Sequence, residues 1–183
     1  MKKSRIEEIR NRYDPKWVGK DIAILFVGES APSENRFFYL RNTILYYASF
    51  IAFHRVYGVK EDEFLEHFQK LGCFLYDLLP CGKKWSDEGK KKVASEKERK
   101  QARVEFREFI KKRRPKMVVT IMKRISEDVE SEIKKTNINI IFRNDLGFPG
   151  NPRLFCEYVE GLEEILREAI DLKILPGSIL SKK

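Results

Sequence analysis

From residue 22 to residue 27 the chain reads Ile-Ala-Ile-Leu-Phe-Val, with no polar side chain, and it halts at Gly28. A strand with one face in water alternates apolar and polar residues. An unbroken apolar run that ends at turn residues predicts a strand buried on both faces, the kind found in parallel sheets covered by helices. Three later segments repeat the theme. Residues 73–79 form a second short apolar run, closed by Pro80, and residues 117–122 form a third, β-branched from Val118 to Ile121. Residues 138–142 form a fourth.

Helical patterns lie between these runs. Ser4 with Glu7 makes a capping box for a helix over residues 4–13. A second helix begins near Asn42, and Phe64, Leu65, Phe68 and Leu71 mark a third that Gly72 can end. Residues 93–113 predict a long helix with Val104, Phe106, Phe109 and Ile110 buried, stopped by Pro115. Residues 124–135 predict a short one. Asn151 as cap and Pro152 in the first turn open the last, whose apolar stripe runs from Phe155 to Ala169. Strands alternating with helices predict an α/β fold: a three-layer α/β/α sandwich with a four-stranded parallel sheet. No linker or repeat divides residues 1–183, so one domain is expected, with a frayed tail from Pro176.

The chain of 183 residues carries a net charge of +9, and 36% of its residues are charged. Residues 83–114 hold fourteen Lys or Arg against six Asp or Glu, which is nearly all of the excess. A polyanion, DNA above all, is the partner such a segment fits. No apolar run is long enough to span a membrane and no targeting segment stands out, so a cytoplasmic protein is expected. A monomer is the default expectation. Cys73, Cys81 and Cys156 form no C-x-x-C pair; Cys73 and Cys156 read as small core residues. With two histidines they match no zinc spacing, so no metal is expected.

Ligands of parallel sheets bind at the C-terminal ends of the strands. The loops at 28–36, 80–92 and 145–152 leave those ends and converge on one edge. With their flanks they offer Glu29, Ser30, Arg36, Phe37, Phe38, Asp77, Lys83, Lys84, Asn144, Asp145 and Asn151. The chain has no Ser-His-Asp set, no P-loop lysine motif and no complete G-x-G-x-x-G, which weighs against phosphotransfer and ordinary dinucleotide binding.

The order of these pieces resembles the uracil-DNA glycosylase superfamily. Val27-Gly-Glu-Ser-Ala-Pro32 is similar to that family's first motif, a strand running into Gly-Glu-x-Pro-Gly, with the proline shifted by one. Arg36-Phe37-Phe38 lies where the family carries an aromatic residue that stacks on the flipped base. Phe74-Leu-Tyr-Asp-Leu-Leu-Pro80 resembles its second strand, and Arg114-Pro-Lys-Met-Val-Val-Thr120 the entry to its third. Phe148-Pro-Gly-Asn-Pro152 takes the place of its last motif, His-Pro-Ser. The resemblance implies a DNA-binding protein that excises a base by N-glycosidic hydrolysis. Glu29 and Ser30 would be catalytic, Glu29 beside the sugar. Phe37, Phe38, Asp77 and Asn151 would hold the base, and Lys83, Lys84, Lys90, Lys91 and Lys92 the phosphates. The four cysteines that hold an iron–sulfur cluster in some relatives are absent, so no cofactor is expected.

Two departures matter. The last motif has no histidine, and Asp77 stands where the family has a base-reading Asn. A carboxylate there reads donors rather than uracil's mixed edge. Two further readings therefore stand beside the first: a non-catalytic nucleic-acid or nucleotide binder of the same fold, and a small-molecule hydrolase with Glu29 as general base. Each residue also has an architectural role open to it. Glu29 can pair with an arginine, Phe37 and Phe38 can be core, Asp77 can meet a backbone amide or lysine, and Asn151 can be only a helix cap. The basic segment can be a solvated helix face.

Overall fold

The computed structural model describes residues 5–84 and 93–178. Ser4 and Lys90, Lys91 and Lys92 lie outside the described residues. Four strands, β1 (Ile24–Gly28), β2 (Cys73–Asp77), β3 (Met117–Thr120) and β4 (Ile141–Arg143), form one all-parallel sheet in the order β2-β1-β3-β4. β1 is central, with Gly28 opposite Asp77 on β2 and Val27 opposite Thr120 on β3. Every residue of β1 and β3 is buried, as an unbroken apolar run requires.

Among the described residues, six α-helices cover the sheet: α1 (Arg5–Arg12), α2 (Ile44–Tyr57), α3 (Phe64–Lys70), α4 (Glu96–Arg113), α5 (Ser126–Lys134) and α6 (Pro152–Asp171). Alternation along β1 divides the core. Ile24 and Phe26 face a cluster built with Phe53, Phe64, Phe68 and Leu162 from α2, α3 and α6. Leu25 and Val27 face Phe106 and Ile110 of α4 and Val129 and Ile133 of α5. The result is the expected three-layer α/β/α sandwich with a four-stranded parallel sheet.

Local chemistry sets the helix starts. Thr43 accepts from the Tyr46 amide at 3.2 Å, Ser95 and Glu98 form a reciprocal capping box, and Asn151 accepts from the Leu154 amide at 3.0 Å. Each such cap contributes about 1 kcal/mol.

Several expectations need correction. β4 begins at Ile141 rather than 138, because Asn137 takes a left-handed backbone (φ 55°) after α5 and the chain must unwind before it can pair. Val104 is exposed; the buried stripe of α4 is Ala102, Phe106 and Ile110. Cys156 is also exposed, because it falls off the stripe that α6 turns inward through Tyr158, Val159 and Leu162. The chain is anchored past α6: Leu175 is buried and the Tyr57 hydroxyl donates to the Pro176 carbonyl at 2.9 Å. Pro176 is therefore not frayed.

Candidate functional site

β1 leads toward β2 at one side of the sheet, while β3 leads toward β4 at the other. The neighbouring C-terminal ends of β1 and β3 are therefore the point where the winding reverses, and a crevice opens there in sheets of this order. A cavity of about 790 Å³ occupies that place, within the range of small-ligand sites. Its lining comes from the residues after β1 (Gly28 to Pro32), the end of β2 (Asp77) and the residues after β3 (Ile121 to Arg124). The start of α2, the Gly82–Lys84 turn and the loop before α6 complete it.

The backbone under Glu29 is fixed on both sides. The Leu78 amide donates to the Gly28 carbonyl at 3.0 Å and the Leu79 amide to the Glu29 carbonyl at 2.8 Å, so β1–β2 pairing carries on beyond the strands. On the other side the Ile121 amide donates to the Val27 carbonyl at 3.1 Å. The Glu29 side chain is 1% exposed, and a carboxylate so deep needs cations. Arg124 donates to its Oε2 from Nη2 at 2.6 Å, and Lys84 Nζ lies 3.6 Å from the same oxygen.

Asp77 lines the same cavity. It lies across the sheet edge against Gly28: a Cβ at residue 28 would meet Asp77 Oδ1 at 2.8 Å, closer than such atoms approach. Gly28 is thus fixed by the carboxylate next to it. Asp77 Oδ2 is buried and makes no hydrogen bond among the described residues, and Arg10 Nη1 of α1 lies 3.9 Å from it. Burial pushes the Asp77 carboxyl up to about 6, against the pull of Arg10.

The other anticipated residues divide. Ser30 lines the cavity, but its hydroxyl donates to the Lys83 carbonyl at 2.7 Å and ties the first loop to the second. Phe37 and Phe38 also line it, yet are 1% and 3% exposed. Phe38 packs edge-on to Tyr39, Tyr46 and Phe64, so it acts as core wall more than as an open face. Lys84 lines the cavity, whereas Lys83 does not and pairs with Glu98 at 3.1 Å. Asn151 is exposed, caps α6 and is not part of the lining. Arg36, Asn144 and Asp145 are exposed and also outside it. His54 and His67 sit on α2 and α3, each bonded to a backbone carbonyl, Val59 at 2.8 Å and Glu63 at 2.9 Å.

Four contributors went unanticipated: Lys123 and Arg124 after β3, Phe148 before α6, and Arg10 beside Asp77. The signal for the first two was present, since β3 is parallel to β1 and must empty onto the same edge. Phe148 is half-buried, lines the cavity and packs near Gly150. It offers more aromatic surface than Phe37 or Phe38. Arg10 carried no local signal, because only folding brings α1 to β2.

Chemically, the cavity joins two buried carboxylates, three cationic side chains and aromatic walls. Among the described residues, no cluster of three or more His, Cys, Asp or Glu is placed to hold a metal ion. No helix of the described residues is long and apolar enough to cross a membrane. The sequence matches no protein-family model and no curated protein.

Proposed function

We propose that this protein binds DNA and hydrolyses the N-glycosidic bond of a base turned out of the strand into the cavity. One observation carries the reading: Glu29, Asp77 and Phe38 line a single cavity at the switch point of the sheet, together with Lys84, Lys123 and Arg124. In the reaction water adds across the bond. Its hydroxyl goes to the anomeric carbon, and the carbon–nitrogen pair leaves with the base, which takes the proton. Positive charge builds on the sugar as the bond breaks, and a fixed carboxylate opposite it stabilises that charge. Glu29 has this role. Lys84, Lys123 and Arg124 attract the flanking phosphates. Phe148 supplies a face for the base, and Asp77 reads its edge. The resemblance to uracil-DNA glycosylases points the same way.

A second reading, binding without cleavage, has an observation of its own. The Glu29 carboxylate is engaged by Arg124 and Lys84, a pairing that also serves a purely structural purpose. Base release separates the two. Duplexes holding single uracil, hypoxanthine or other altered bases are incubated with the protein, and free base is measured beside DNA affinity. The first reading expects release from at least one duplex and a loss of roughly a hundredfold or more in Glu29→Gln. Affinity with no release across the panel favours the second. No affinity at all removes both.

A further inference from the structure

We infer that Asp77 selects a base presenting two adjacent N–H donors, the imino-and-amino edge of a guanine-type ring, over the acceptor–donor–acceptor edge of uracil. This rests on the nucleobase reading of the cavity. Buried carboxylate oxygens in folded proteins are nearly always hydrogen-bonded. Asp77 Oδ2 is not, although the side chain is only 9% exposed. Arg10 lies too far off, at 3.9 Å, to donate to it, and its guanidinium is instead held over the Tyr76 ring, 5.4 Å from the centroid. That arrangement tempers the charge of Asp77 and leaves Oδ2 without a donor. Gly28 keeps the carboxylate in place by offering no Cβ.

An ionised carboxylate only accepts. Two neighbouring N–H groups on one ring edge satisfy both of its oxygens at once, and a bidentate pair of this kind discriminates strongly between bases. A uracil edge sets two carbonyl oxygens beside its single donor, and each would face the carboxylate with like charge. Inosine keeps the imino donor but lacks the amino group, so it tests the second contact alone.

The experiment measures equilibrium binding of guanosine, inosine and uridine to the whole chain and to Asp77→Asn, at mildly alkaline pH. The wild type is expected to hold guanosine roughly tenfold or more tighter than inosine, with uridine weakest. An amide at residue 77 offers one donor and one acceptor, which fits the adjacent carbonyl and imino groups that all three rings carry, so Asp77→Asn should abolish the preference for guanosine rather than merely weaken binding. A wild type that prefers uridine, or that does not distinguish the three, overturns the inference and leaves the nucleobase reading standing. Failure to bind any nucleoside overturns both. Should the variant not fold, the wild-type ranking against inosine decides alone.

Discussion

A carboxylate set as deeply as Asp77 favours its protonated form. Its pKa rises from 3.8 to about 6 on folding, so the folded chain holds this proton more tightly than the unfolded chain does. Stability therefore falls as pH climbs through that interval, and the loss is complete above it. Two units correspond to about 3 kcal/mol. Asp77→Asn is expected to raise the thermal midpoint at pH near 8 and to change it little at pH near 4. Melting curves of both proteins across that range check this. A gap that stays constant with pH would assign the cost to packing instead. Gly28 is the matching case in backbone form. Gly28→Ala should destabilise by about 1–3 kcal/mol, because the added methyl must displace Asp77. Asp77→Ala in the same chain should recover part of that loss, which a double-mutant cycle by urea unfolding would measure.

At the scale of elements, much of the basic charge on α4 serves packing. Arg103 pairs with Asp128 at 2.7 Å and Arg107 with Glu132 at 2.9 Å, which joins α4 to α5. The Glu132 side chain is 3% exposed, so Arg107 serves a buried acid. At the end of α4, Arg113 grips both oxygens of buried Asp14 at 2.7 Å. Arg113→Ala would remove the two shortest charge contacts of that carboxylate, leaving it Lys16 Nζ at 3.7 Å and the Lys16 amide at 3.0 Å, and is expected to cost about 3 kcal/mol, read as a lower urea midpoint. Arg107→Ala should lower stability in the same assay and leave DNA affinity unchanged in its salt dependence. Lys123 is exposed, lines the cavity and should behave oppositely. On the proposed DNA-binding reading, Lys123→Glu is expected to reduce the magnitude of the logarithmic salt slope by about one, with the melting temperature little altered. A basic helix and a basic binding face look alike in sequence, and only their partners tell them apart.

At the scale of the whole molecule, the fold was largely legible and the site only partly so. Continuous apolar runs and caps such as Asn151 announce elements through local chemistry, and all four strands and six helices occur near their expected places, although the long helix expected from Val93 begins at Glu96 behind Ser95. Asp77 and Arg124 are different. Their meaning depends on which strand lies beside which, and the order β2-β1-β3-β4 is a property of distant pairings. Phe38 shows the reverse failure. A loop aromatic next to a motif suggested a stacking platform, yet four other rings lie around it and claim most of its surface. Phe148, beside Gly150, kept more of its surface open and was passed over as part of a motif.

The central place of β1 has a consequence for time as well as space. Its edges are closed by Cys73 on one side and Met117 on the other, so the strand that emerges first from the ribosome waits longest for its neighbours. Loop closure over such spans is slow and entropically costly. Until Arg124 has been made, Glu29 lacks the closer of the two cations that accompany its burial. The acid and the base of the pocket are thus born far apart and meet only once the sheet is nearly whole. In refolding, the nucleoside binding proposed above should appear no sooner than the slowest phase of sheet formation, and a stopped-flow comparison of the two signals would reveal any pocket that assembles early.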